Sequence, residues 1–220
     1  MSRWNSPPSR PKLTPPVFFV YFLIFFRQKQ KCKQSQITLL HGDCVDKADF
    51  LMWSRKYDKA FGWQAQRERE LGAKFRKNKA FTVADLASVV EWKFCDEPEK
   101  KARSLALVAR NDEANVNRLS SQALSIPGCE DGYRMSCITL LEGVSPVLAS
   151  IILSFFDPKQ YCVLDGYAWK ALLGTPPPNM QSTQNYLVLL AVIRKTAAKQ
   201  NLDVRVIDKA FFKKGHDESK

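Results

Sequence analysis

From Asp46 onward the apolar side chains of this chain return at steps of three and four residues through most of its length. Phe50, Met52-Trp53, Tyr57, Phe61 and Leu71 set the pattern, with charged residues between them. A period near 3.6 commits a segment to an amphipathic helix that must bury its apolar stripe against another element. Only 9 Gly and 12 Pro occur in 220 residues, which leaves long stretches free for helix and argues against an all-β sandwich. The fold class expected is all-α, a multi-helix bundle.

The punctuation divides the bundle. Gly62 and Gly72 are expected breaks within the first helical stretch, residues 46–76. Thr82-Val83-Ala84-Asp85 reads as a capping box opening a helix to about Phe94, which Asp96-Glu97-Pro98 then ends. Further helices fit 99–110, 112–124, 133–141, 146–156, 166–172, 183–199 and 206–213, with Pro127-Gly128 as a turn. A mainly single domain from residue 40 to 213 is expected, followed by a frayed tail at 214–220.

Composition adds limits. Hydrophobic residues make up 45% and charged residues 25%, ordinary globular proportions that exclude a disordered chain, a collagen or a disulfide mini-protein. The net charge of +12 points toward a polyanion, but it is uneven. Residues 1–60 carry 11 basic and 4 acidic side chains, whereas residues 81–131 carry 6 and 9. Cys32, Cys44, Cys95, Cys129, Cys137 and Cys162 are scattered without a C-x-x-C pair. That spacing fits neither a zinc site nor an iron–sulfur cluster, and suits reduced cysteines in an intracellular protein, nuclear or cytoplasmic. His41 and His216 have no ligand-spaced partner and read as surface histidines. No metal and no other cofactor is expected.

Residues 1–35 read as an accessory segment. Their run of ten apolar residues, 17–26, is about half of the roughly 20 that a spanning helix needs, so no stable membrane insertion is expected. A packed element or a targeting role remains open for it.

The most specific pattern is Ile138-x-x-Leu141-x-Gly143-Val144-Ser145-x-x-x-Ala149-x-x-Ile152-Leu153. It fits a helix-hairpin-helix at every specified position except the second glycine, which is Ser145. Gly143 can take the positive φ that leaves the first helix, Val144 plugs back between the helices, and Ala149 permits close approach. Ser145 as N-cap with Pro146 at the first helical position starts the second helix. The N–H groups at such a helix start form a ready site for a phosphate oxygen. An ordinary helical hairpin inside a bundle has the same local physics. Glu142 beside the loop and the absence of Lys or Arg between Met135 and Asp157 favour that plainer reading.

Asp165 follows Ala149 by sixteen residues, in Tyr161-Cys-Val-Leu-Asp165-Gly-Tyr167-Ala-Trp169. This hairpin, followed at that distance by Val-x-Asp and an aromatic-rich helix, resembles the helix-hairpin-helix DNA glycosylases. The likeness spans about residues 81–173 and is most specific over 138–169. It implies a glycosylase-like fold, double-stranded DNA as partner, a monomer, and base excision repair as the setting. By the resemblance Asp165 matches the catalytic aspartate, and Gly143, Val144, Ser145, Pro146 and Val147 match the phosphate-binding hairpin. The chemistry suits the residue, because a carboxylate stabilises the oxocarbenium-like state of base excision and aligns water. Asp165 also reads as a simple N-cap.

The chain departs from the family at Val147, where bifunctional members carry a lysine nucleophile. The lyase reaction is therefore not expected from the hairpin, and the scattered cysteines exclude the iron–sulfur branch. A monofunctional N-glycosylase is the expectation; a non-enzymatic nucleic-acid-binding protein and a helical interaction protein are the alternatives. Trp53, Trp63, Trp92, Tyr167 and Trp169 are candidate base-stacking residues, with Tyr167 and Trp169 nearest Asp165 in sequence, and Arg67, Arg69, Lys74, Arg76, Lys77 and Lys79 a candidate phosphate-tracking face. Core aromatics and a solvated helix face explain the same residues.

Overall fold

A computed structural model describes residues 46–219. The N-terminal segment expected as accessory, with its apolar run, lies outside the described residues. Ten helices follow one another: α1 (Lys47–Ala60), α2 (Gly62–Asn78), α3 (Val83–Lys93), α4 (Pro98–Val108), α5 (Glu113–Ser125), α6 (Asp131–Thr139), α7 (Pro146–Phe156), α8 (Gly166–Leu173), α9 (Thr183–Gln200) and α10 (Val204–Asp217). No strand occurs among the described residues, and the protein is all-α there.

Local chemistry sets most helix starts. Thr82 and Asp85 form the reciprocal capping box, Asp85 N–H to Thr82 Oγ1 at 3.1 Å and Thr82 N–H to Asp85 Oδ2 at 3.0 Å. Asp46, Asp112 and Ser182 accept from the first turns of α1, α5 and α9 in the same manner. Such caps are worth about 1 kcal/mol each.

The core is built around α7. Every residue from Val147 to Phe155 is buried, so this helix is apolar all round and central rather than amphipathic. Helices α2, α3, α6 and α9 pack on it, while α10 lies against α1 and α8. Leu148, Ile151, Ile152, Leu153 and Phe155 each contribute on the order of 1.5–3 kcal/mol by burial. Its two buried hydroxyls bond within the helix, Ser150 to Val147 O at 2.7 Å and Ser154 to Ile151 O at 2.8 Å.

Three expectations change. Gly62 does open a new helix, but Gly72 is no break: it lies inside α2, where an added Cβ would stand 2.4 Å from Phe155 O. The glycine permits α2 to touch the α7 backbone, and Arg76 then donates to Phe155 O (2.7 Å) and Phe156 O (3.2 Å) at the end of α7. The tail expected to fray instead continues α10 to Asp217. Gly215 is buried there against Tyr167, and His216 packs among Phe61, Tyr167 and Phe212 rather than lying free on the surface.

Candidate active site

The α6–α7 connection takes the shape that local physics demands. Gly143 has φ +76°, Ser145 caps α7 by accepting from Leu148 N–H at 3.4 Å, and Pro146 opens the helix. Val144 and Ala149 are buried between the elements. A Cβ on Gly143 would meet Leu107 Cβ at 2.8 Å, so the loop rests on the end of α4. Asn111 fastens it: Nδ2 donates to Glu142 O and Val108 O, and Oδ1 accepts from Glu142 N–H, all at 2.9 Å. The N–H groups of Gly143, Ser145 and Val147 find no acceptor among the described residues. They stand at the positive end of the α7 dipole, with the exposed Glu142 beside them.

The segment after α7 turns back along it. Tyr161 N–H bonds Asp157 O (3.0 Å) at the end of the helix, whereas Leu164 N–H bonds Ser150 Oγ (2.9 Å). Ser150 lies about 9 Å nearer the α7 start than Phe156, from the helical rise. The intervening Val163 N–H points the other way, to Asp208 Oδ2 on α10 at 2.9 Å. The consecutive amides of Val163 and Leu164 are therefore fixed to different neighbours, α10 and α7, immediately before Asp165. Asp165 holds extended backbone (φ −134°, ψ 145°) and caps α8, Oδ1 accepting from Tyr167 N–H at 2.7 Å. Its other oxygen, Oδ2, lies 3.7 Å from Lys93 Nζ at the end of α3.

Asp165 and Lys93 both line a cavity of about 140 Å³. Four aromatic rings form walls: Tyr57, Phe61, Trp92 and Phe212. Trp92 is held by its indole N–H to Gln64 O (2.9 Å) and an edge contact with Phe155. Cys95, beside Asp96, also lines the cavity, and burial followed by the Asp96 contact pushes its thiol up. At one side Arg205 and Asp208 join a buried charge network with Glu68. Arg205 bonds Glu68 at 3.0 and 2.9 Å and Asp208 at 2.5 Å. Asp208 Oδ1 is buried without a partner. Burial first, and the Asp165 charge among the lesser causes, raise the Asp208 carboxyl despite the opposing pull of Arg205 and Val163 N–H.

The candidate residues of the sequence separate in space. Asp165 lines the cavity, whereas no hairpin residue does; the hairpin rests instead on the end of α4. Tyr167 does not line the cavity; its ring lies behind the wall, 5.5 Å from Phe212. Trp169 is buried in the core with its indole N–H unpaired. Of the six basic residues, Arg67 bonds Ser88 and Glu70, Lys74 bonds Asp85 at 2.7 Å, Arg76 caps α7, and Lys79 covers the Phe156 ring. Arg69 and Lys77 are exposed and have no such partner among the described residues. Trp92, one of the candidate stacking aromatics, does line the cavity, whereas Lys93 and Asp208 were missed by sequence reasoning. Each reads as an ordinary helix residue, and no local pattern ties it to Asp165.

Among the described residues no group of three or more His, Cys, Asp and Glu is placed to hold a metal ion. No helix there is long and apolar enough to cross a membrane. Comparison with protein-family models, curated proteins and solved structures finds no match. Among the described residues, the fold and site define an all-helical protein with a carboxylate–ammonium pair in an aromatic-walled cavity.

Proposed function

We propose that this protein binds double-stranded DNA and acts as a monofunctional N-glycosylase, hydrolysing the bond between a damaged base and its deoxyribose. The α6–α7 loop is the phosphate anchor in this reading, with its free amides at the α7 N-terminus, and Asp165 is the catalytic carboxylate. One observation carries it. Asp165 stands in the wall of an aromatic-lined cavity, one residue after the Leu164–Ser150 bond that ties its segment to α7. A negative oxygen there stabilises the positive charge that develops on the sugar and aligns water for attack.

The test incubates the protein with duplexes carrying alkylated, deaminated or oxidised bases and then cleaves abasic sites with alkali. Strand breaks are expected after alkali only, with a rate lowered at least about 100-fold by Asp165→Asn. If no lesion gives product, or the variant matches wild type, catalysis by Asp165 is refuted. A non-enzymatic DNA-binding role is the second reading, favoured by the engagement of Asp165 Oδ1 in capping α8. It predicts duplex binding that weakens steeply with salt and no base release under any condition.

A further inference from the structure

The Lys93–Asp165 pair and the size of the cavity bear on which base is released. The volume of about 140 Å³ is close to the roughly 150 Å³ that accommodates a single benzene ring. The cavity opens to solvent, so a fused two-ring purine would extend beyond this volume into the mouth, whereas a single ring is received whole. Lys93 Nζ stands 3.7 Å from Asp165 Oδ2, and both line that space. Heterolysis of an N-glycosidic bond separates charge over a similar distance, positive at sugar C1′ and negative on the departing base. A carboxylate beside an ammonium complements both charges at once.

Resting on the reading of Asp165 above, we propose that Lys93 is a second catalytic residue and that the substrate is a single-ring base, a pyrimidine that leaves as an anion. The C1′–N1 bond breaks with both electrons passing to the base. The negative charge spreads to the carbonyl oxygen beside N1, which accepts a hydrogen bond from the Lys93 ammonium. Asp165 stabilises the C1′ cation until water adds there, and the proton released by that water neutralises the pyrimidine. The products are a free base and an abasic sugar. Trp92 and Phe212 supply apolar surface for the ring, and Lys93, with its side chain 25% exposed, can reach a ligand without leaving the fold.

The experiment compares release of uracil, 5-fluorouracil and 5-hydroxyuracil with release of hypoxanthine, an alkylated adenine and 8-oxoguanine from matched duplexes. Pyrimidines are expected to leave about 100-fold faster than purines. Lys93→Gln should slow uracil by about 100- to 1,000-fold. It should slow 5-fluorouracil, whose anion needs less help, by about tenfold, and Lys93→Arg should recover part of the loss. Equal slowing of both pyrimidines assigns Lys93 a structural role and refutes its catalytic one. Release of purines alone refutes the substrate class while the glycosylase reading stands. If no base is released, the reading of Asp165 falls, and a titration of free uracil and free hypoxanthine into the protein decides the ligand class. A shift of the Trp92 indole N–H resonance by uracil alone supports the single-ring site; a response to hypoxanthine, or to neither, overturns it.

Discussion

The backbone N–H of Leu164 donates to Ser150 Oγ at 2.9 Å, and both residues are buried. This bond joins the return segment to α7 one residue before Asp165, so it sets where the carboxylate stands. Ser150→Ala leaves the Leu164 amide with no acceptor, which costs about 1–3 kcal/mol. Denaturant unfolding should show that loss. Base release should slow while duplex affinity stays within about twofold, since the hairpin is untouched. Affinity falling in step with release would place Ser150 in the binding surface instead.

Asn111 makes three bonds of 2.9 Å that dock the α6–α7 loop on the end of α4. Asn111→Ala should weaken duplex binding several-fold, with stability down by about 1–2 kcal/mol. The slope of affinity against salt should not change, because no cation has been removed. Fluorescence anisotropy at several salt concentrations measures both quantities; unaltered affinity would separate the loop from the duplex.

The six basic residues near α2 predict two kinds of variant. Arg76 donates to Phe155 O at 2.7 Å, and Arg76→Ala should destabilise by about 1–3 kcal/mol with little change in salt dependence. Arg69 and Lys77 bond to nothing among the described residues, so their alanine variants should melt like wild type. If they meet phosphate, each should lower the salt slope by about one. An unchanged slope in both would remove this helix face from the interface.

The buried network gives opposite responses to acid. Burial alone would raise Glu68, but the Arg205 charge and hydrogen bonds, joined by Lys209, outweigh it and hold the carboxyl below its ordinary 4.5. Glu68 therefore adds stability above about pH 4.5, and that share is lost as pH falls through the lower folded value. Asp208 is raised by burial, binds its proton more readily when folded, and so gains stability as pH falls toward 3.8. Glu68→Gln should cost about 3–5 kcal/mol at neutral pH and flatten the acid loss. Asp208→Asn should steepen that loss. Parallel stability curves for wild type and both variants would contradict these signs.

Helix starts were legible because their chemistry is local. Thr82 with Asp85, and Ser145 with Pro146, lie within four residues of each other and act as read. Gly72 was misread because its reason is remote: the close approach to Phe155 involves a helix still to be folded onto it. Asp165 was legible as the N-cap of α8, because that role too is local. Its surroundings were not. Lys93 comes from α3, and Tyr57 and Arg205 come from opposite ends of the described chain. Tyr167 and Trp169 looked suitable as aromatics near Asp165 in sequence, yet the rings that reach the cavity arrive from α1, α3 and α10. Adjacency along the chain carried no information about them.

Helix α7 is enclosed on every side, with the Gly143 loop at its start and Arg76 on its final carbonyls. Such a rod can neither roll nor slide without opening the core around it. The loop amides at its start are thus held on a mount that does not yield, so any group that meets them must adapt its own shape to theirs.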